Sequence, residues 1–313
     1  MTHNSCGSVI HTDYARITLV RMSDFLELLC AEAEGRDEAT EGARVRLESV
    51  AFECLASGLA DDRVASLLRL LGFDGDCACF AVAGRPAGAV PGAIEAVHRT
   101  VSDLGGQTPL VGVRDGGVAA LIRAEAAVGP EITCTALSPA FAVDETPLCL
   151  GPLRHGVAGA AATLVAALTT LRAAPAIGLP HAADRAEAAA TAIGLTSART
   201  RGVEPLRAED VLPERALLGD TDARRELVDV VYASLAGDNP DDPTMRTVAT
   251  FLTSGGSLET TARTLNVHPN TVRYRLKRAA DTTGWDATDP REAYVLTTAI
   301  ALGRILRPQP SHP

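Results

Sequence analysis

Between residues 255 and 284 the chain alternates buried-type and polar positions at helical spacing, twice in succession. Leu258, Thr261, Ala262 and Leu265 fall at i, i+3, i+4 and i+7, one face of a short helix, and Val272, Leu276 and Ala279 mark a second stripe. The punctuation agrees with the period. Ser257 stands at a cap position, Asn266 tolerates the dihedrals of a tight turn, and Pro269 suits the first position of a new helix, leaving His268 as its cap. The second helix is expected to run through about residue 280. At 100° per residue its outer side carries Asn270, Thr271, Tyr274 and Lys277, with Arg273 and Arg275 on the flanks and Arg278 near the end. After Gly284, Asp289 followed by Pro290 and Glu292 predicts a capped closing helix packed through Val295, Leu296, Ala299, Ile300, Leu302 and Leu306. Met245, Val248 and Leu252 predict a leading helix. The GDNPDDP run at residues 237–243 reads as a linker, and the proline-rich 307–313 as a disordered tail.

The period changes upstream. Residues 23–72 are helical in pattern: Leu47, Val50, Ala51, Cys54 and Leu55 make one stripe, and Val64, Leu67, Leu68 and Leu71 another behind Asp61 and Asp62. Residues 77–83 read as a strand, Ile94, Val97, Val101 and Leu104 as a helix face, and 110–114 and 118–122 as strands joined across Asp115, Gly116 and Gly117, a strong hairpin signal. Another apolar run at 132–137 and helices at 156–171 and 182–193 follow. The order suggests a ferredoxin-like α+β layer. The expected organisation is therefore multidomain: a helical region over 1–72 that could pair two protomers, a central α+β domain over 73–236, and an all-α helix-turn-helix domain over 237–306.

Charge sharpens this picture. Residues 244–281 hold six basic side chains against two acidic ones, a net of +4 within a chain of −10, so the remainder carries −14. An acidic body repels a polyanion everywhere except at this surface. Long cationic side chains would position the second helix on phosphates, while Asn270 can pair bidentately with adenine, and Thr271 and Tyr274 can meet a thymine methyl. The DNA-contacting set read from the sequence is His268, Asn270, Thr271, Arg273, Tyr274, Arg275, Lys277 and Arg278. The alternative is a protein-interaction module that uses the same helical pair as a docking surface.

Other chemistry finds little support. Seven cysteines without a CxxC argue against a disulfide framework and a structural zinc site, and the CxC of Cys77 and Cys79 has few ligand-type neighbours. No GxxxxGK[ST] loop, Gly-x-Ser-x-Gly elbow or HExxH pair occurs, and His98, His155 and His181 stand alone. Neither a catalytic residue, a cofactor nor a metal is expected. No run of eighteen apolar residues and no signal-type N-terminus is present, so a cytoplasmic protein without a membrane span is expected.

The segment TVATFLTSGGSLETTARTLNVHPNTVRYRLKRAADTTGWDATDP resembles the C-terminal DNA-binding domain of the PucR and CdaR family of bacterial transcription regulators, in its paired glycines, NVH turn, NTVRYRLKR helix and TG stop. That domain is itself similar to the nucleoid protein Fis. Pro269 stands where the family usually places a basic residue. The central element order, the GVRDGG hairpin and LGPLRHGVAG resemble the family's central domain, a degenerate relative of the GGDEF cyclase fold, and the cyclase's paired carboxylates are missing from the hairpin. The resemblance implies a non-enzymatic, sequence-specific transcription regulator that binds double-stranded DNA, and it leaves room for a small-molecule effector. One short helix covers few base pairs, so a homodimer or higher even-numbered oligomer on a two-fold site is expected.

Overall fold

A computed structural model of the chain describes residues 38–125, 127–177, 204–237 and 242–307. The helical expectations for 23–37 and 182–193, and the tail from 308, lie outside these residues. The first elements are α1 Glu38–Ala56 and α2 Asp62–Leu70, the latter capped by Asp61, which accepts from the N–H groups of Arg63 and Val64. There follow β1 Ala78–Gly84, α3 Val90–Asp103, β2 Leu110–Arg114, β3 Gly117–Arg123, α4 Pro130–Leu137, β4 Cys149–Leu150, β5 Arg154–His155, α5 Gly156–Ala173 and β6 Leu206–Arg207. The apolar run at 132–137 is thus the helix α4.

The sheet order is β2-β3-β1-β4-β6, with β5 also pairing β1 and only β4 with β6 parallel. Asp115 and Gly116 both have positive φ, 51° and 74°, the twist that lets a two-residue turn join β2 to β3. Along β1 the side chains alternate between two cores. Cys79, Ala81 and Ala83 join α1, α2 and α5, whereas Phe80 and Val82 join α3 and α4. A strand covered on both sides reads as a continuous apolar run, as ACFAVAG does. Helix α5 is long and apolar enough to cross a membrane by composition; 67% of it is buried, because it is the core helix under the sheet.

Beyond the sheet the chain is helical: α6 Leu212–Leu217, α7 Thr221–Glu226, π-helical turns over Leu227–Tyr232, α8 Ala233–Ala236, α9 Thr244–Thr253, α10 Leu258–Leu265, α11 Pro269–Thr283 and α12 Pro290–Leu306. Leu212, Ala216, Leu227, Val231, Tyr232 and Leu235 share one apolar cluster with Val248, Phe251, Val272, Leu276, Val295 and Ile300. The linker read at 237–243 therefore lies between two stretches of the same core. In α12 the expected stripe ends early: Leu306 is 59% exposed. Gly303 faces inward instead, and a Cβ there would stand 2.2 Å from the Tyr232 ring, so the aromatic fills the space against bare backbone.

The two layers are joined by a buried polar latch. Asp220 Oδ2 accepts from Arg215 Nη2 at 2.8 Å, from Arg215 Nε at 3.0 Å and from Thr169 of α5 at 2.8 Å. Asp220 Oδ1 caps α7 through the N–H groups of Asp222 and Ala223, and Arg215 also donates to the Ala208 carbonyl. Nearer the surface, Arg291 of α12 forks onto the Glu214 carboxylate of α6.

Candidate nucleic-acid interface

Local signals build the helical pair. Ser257 Oγ accepts from the Thr260 N–H at 3.2 Å to start α10, and Asn266, left-handed at φ 53°, ends it. His268 Nδ1 then accepts from the Asn270 N–H at 3.1 Å, Pro269 takes the first position of α11, and left-handed Gly284 closes it. The helix reaches Thr283, one turn beyond the expected end.

On α11, Val272, Leu276 and Ala279 are buried, packing the helix on α9 and α10. The opposite side is open. Asn270, Arg273, Tyr274, Lys277 and Arg278 are exposed, Tyr274 at 68%, and His268 stands exposed at the turn. Thr271 and Arg275 are half-buried.

The arginines divide by what holds them. Arg273 Nη1 donates to Asn270 Oδ1 at 2.7 Å, which ties these two outer side chains together. Arg275 Nη1 donates to Thr247 Oγ1 of α9 at 3.2 Å, and Arg278 pairs with Asp242 at 2.8 Å. Arg275 and Arg278 thus lean back toward the leading helix, away from the Asn270 edge. Asp242 also accepts from the Thr244 N–H at 2.8 Å, so it ties the start of α9 to the end of α11. Sequence reasoning read GDNPDDP only as a linker; its acidic character beside a cationic helix was the available signal.

The central hairpin presents a different chemistry. Arg85 Nη1 donates to the Asp115 carbonyl at 2.6 Å, so a guanidinium sits against the turn. Thiols of the central domain are weak nucleophiles: burial pushes Cys79 of β1 and Cys134 of α4 up to about 12, and burial also raises Cys77.

Comparison with known proteins matches two segments of the chain. Residues 57–173 match the GGDEF-like domain, and residues 244–302 match the PucR C-terminal helix-turn-helix domain. An uncharacterized protein of Mycobacterium tuberculosis is 48% identical over 106 residues, 34% of this chain and 25% of its own. Another, encoded in the pkwA 5′ region of Thermomonospora curvata, is 34% identical over 95 residues, covering 30% of this chain and 52% of its own. The chain therefore spans about a quarter to a half of these curated relatives. The crystal structure of a regulator of polyketide synthase expression from Bifidobacterium adolescentis superposes with a TM-score of 0.72 at 50% identity, covering 84% of this chain and 99% of that one. With both family models matched and a solved relative at 50% identity covered along 99% of its own length, the chain belongs to the PucR-type family of transcription regulators.

Proposed function

We propose that this chain is a sequence-specific DNA-binding transcription regulator that works in the cytoplasm and inserts α11 into the major groove. The observation that carries the reading is the two-sidedness of α11. Its apolar side is buried on α9 and α10, and its outer side offers Asn270, Arg273, Tyr274 and Lys277 to a partner, within a chain of net charge −10. Cations concentrated on one face of an acidic body suit a polyanion more than a second protein. The GGDEF-like layer acts here as a non-catalytic body that carries signals to the head across the Thr169, Asp220 and Arg215 contact. Two copies would place their recognition helices in successive grooves on one face of the duplex, with half-sites about 34 Å apart or a multiple of that.

The test is enrichment of genomic fragments by the purified full chain, followed by footprinting and titration across salt concentrations. The expected result is a two-fold site, with log K falling linearly against log salt. A chain that enriches no duplex above bulk DNA, or whose affinity ignores salt, does not have this function.

A further inference from the structure

At the N-terminal edge of α11 the acceptors of Asn270 and His268 are already engaged. The Asn270 side-chain oxygen takes a hydrogen bond from Arg273 Nη1 at 2.7 Å. His268 Nδ1 takes one from the Asn270 backbone N–H at 3.1 Å, so the ring proton sits on the other nitrogen, Nε2. What these side chains and Arg273 still present to a partner is mainly donors: the Asn270 amide NH2, the remaining N–H groups of Arg273 and the His268 Nε2–H.

This composition selects among base edges. A bidentate contact with adenine needs one donor for N7 and one acceptor for the N6 amino group. The Asn270 oxygen has a second lone pair, but an adenine amino group approaching it meets the Arg273 guanidinium, donor against donor. Guanine presents two acceptors, N7 and O6, in the major groove, and a donor-rich guanidinium edge complements both. The other arginines of α11 are held elsewhere, Arg275 on Thr247 and Arg278 on Asp242. Arg273 is the guanidinium fixed at the leading edge of the helix.

We infer that Arg273 is a specificity-determining residue that reads a guanine in each half-site, with Asn270 acting as its positioning residue through the side-chain hydrogen bond. The inference rests on α11 entering the major groove, and it reassigns both residues: the sequence alone suggested Asn270 for adenine and Arg273 for phosphate.

The experiment starts from the duplex that the full chain enriches. Each guanine is replaced in turn by 7-deazaguanine, which lacks the N7 acceptor, and each adenine by 7-deazaadenine. One guanine per half-site should lose roughly 5- to 150-fold in affinity on replacement, with no comparable loss at any adenine. Arg273→Ala should abolish that discrimination. Asn270→Ala should relax it, and Asn270→Asp, which still offers Arg273 an oxygen, should keep the guanine preference.

Two outcomes overturn the assignment while leaving DNA binding intact. One is a dominant loss at an adenine that Asn270→Asp also removes. The other is an Arg273→Ala protein that binds every duplex more weakly, loses about one unit of salt slope and keeps its base preference. Failure to enrich any duplex overturns the DNA-binding reading and this inference with it.

Discussion

Removing the Asp220 carboxylate should destabilise the protein more than any single change at its surface. Asp220 is 4% exposed and Arg215 3%. One carboxylate oxygen receives two guanidinium N–H groups and the Thr169 hydroxyl, and the other caps α7. Asp220→Ala leaves the Arg215 charge buried without its direct ion-pair partner, hydrogen-bonded to the Ala208 carbonyl and the Thr169 hydroxyl and with Glu226 as the remaining carboxylate that acts on it, an arrangement that costs about 3–5 kcal/mol. Loss of the helix cap accounts for roughly 1 kcal/mol of that. Asp220→Asn keeps a cap oxygen and so isolates the ion-pair part. Pairing Arg215→Met with Asp220→Ser, which can still cap, should recover most of the loss, because it removes the uncompensated charge.

Guanidinium unfolding checks this with two probes. Trp285, the single tryptophan, lies against the helical core and reports that part, while far-ultraviolet dichroism reports the whole. The native chain should show coincident transitions. Asp220→Ala should lower the midpoint and separate the two probes as the layers uncouple. An Asp220→Ala protein within 1 kcal/mol of the native one, or a double variant no better than the single, refutes the latch.

The pH dependence follows from the same geometry. Burial alone would raise the Asp220 carboxyl, but the Arg215 charge, the Thr169 hydroxyl and the Ala223 N–H outweigh it and hold it below the ordinary value. The folded value is depressed, so the stabilisation is fully present above about pH 4 and is lost as pH falls through the folded value. Acid titration of stability should be flatter in Asp220→Asn than in the native chain.

Three further outcomes are expected. Asp242→Asn keeps an acceptor for the Thr244 N–H but weakens the hold on Arg278, so duplex affinity should rise and the salt slope steepen by about one unit; anisotropy titrations showing neither effect place Arg278 permanently on the leading helix. Gly303→Ala should lose about 1–3 kcal/mol in thermal unfolding, since its Cβ would meet the Tyr232 ring at 2.2 Å, and a neutral result means that the ring yields freely. A fragment over residues 204–313 should fold alone, whereas 237–313 should show reduced helicity and bind hydrophobic dye, having lost Leu212, Leu227, Val231 and Tyr232 from its core; equal helicity per residue in the two fragments argues for independence from residue 237.

Much of the helical pair was legible because its signals are local. Ser257, Asn266, Pro269 and Gly284 each fix a dihedral or supply a cap within three residues of where they act. The hairpin was legible for the same reason, through Asp115 and Gly116. Residues 212–236 were assigned to the central layer, since their short apolar stripes look the same whichever core receives them, and only the fold shows them packed on α12. The latch was invisible: Thr169 and Asp220 are 51 positions apart, and no periodicity marks a pair of that kind. Arg275 and Arg278 show the limit within a single helix. Helical geometry gives the direction of each side chain but not that Thr247 and Asp242 stand ready to hold them.

The π-helical turns at Leu227–Tyr232 make this segment a ruler. Such turns hold one residue more than regular α-helix over the same span, so deleting a single residue there would leave an unbroken α-helix with the later side chains in place, whereas inserting one would turn every later side chain by about 100°. With an insertion ahead of Asp229, Tyr232 would swing off Gly303, and Asp229 would lose its register with Arg307. Insertions should therefore be tolerated in the connection at 237–243 and rejected at 227–232, where a single deletion is the one length change the helix absorbs. In a set of natural variants, insertions would be found on the C-terminal side of α8 and not on the other.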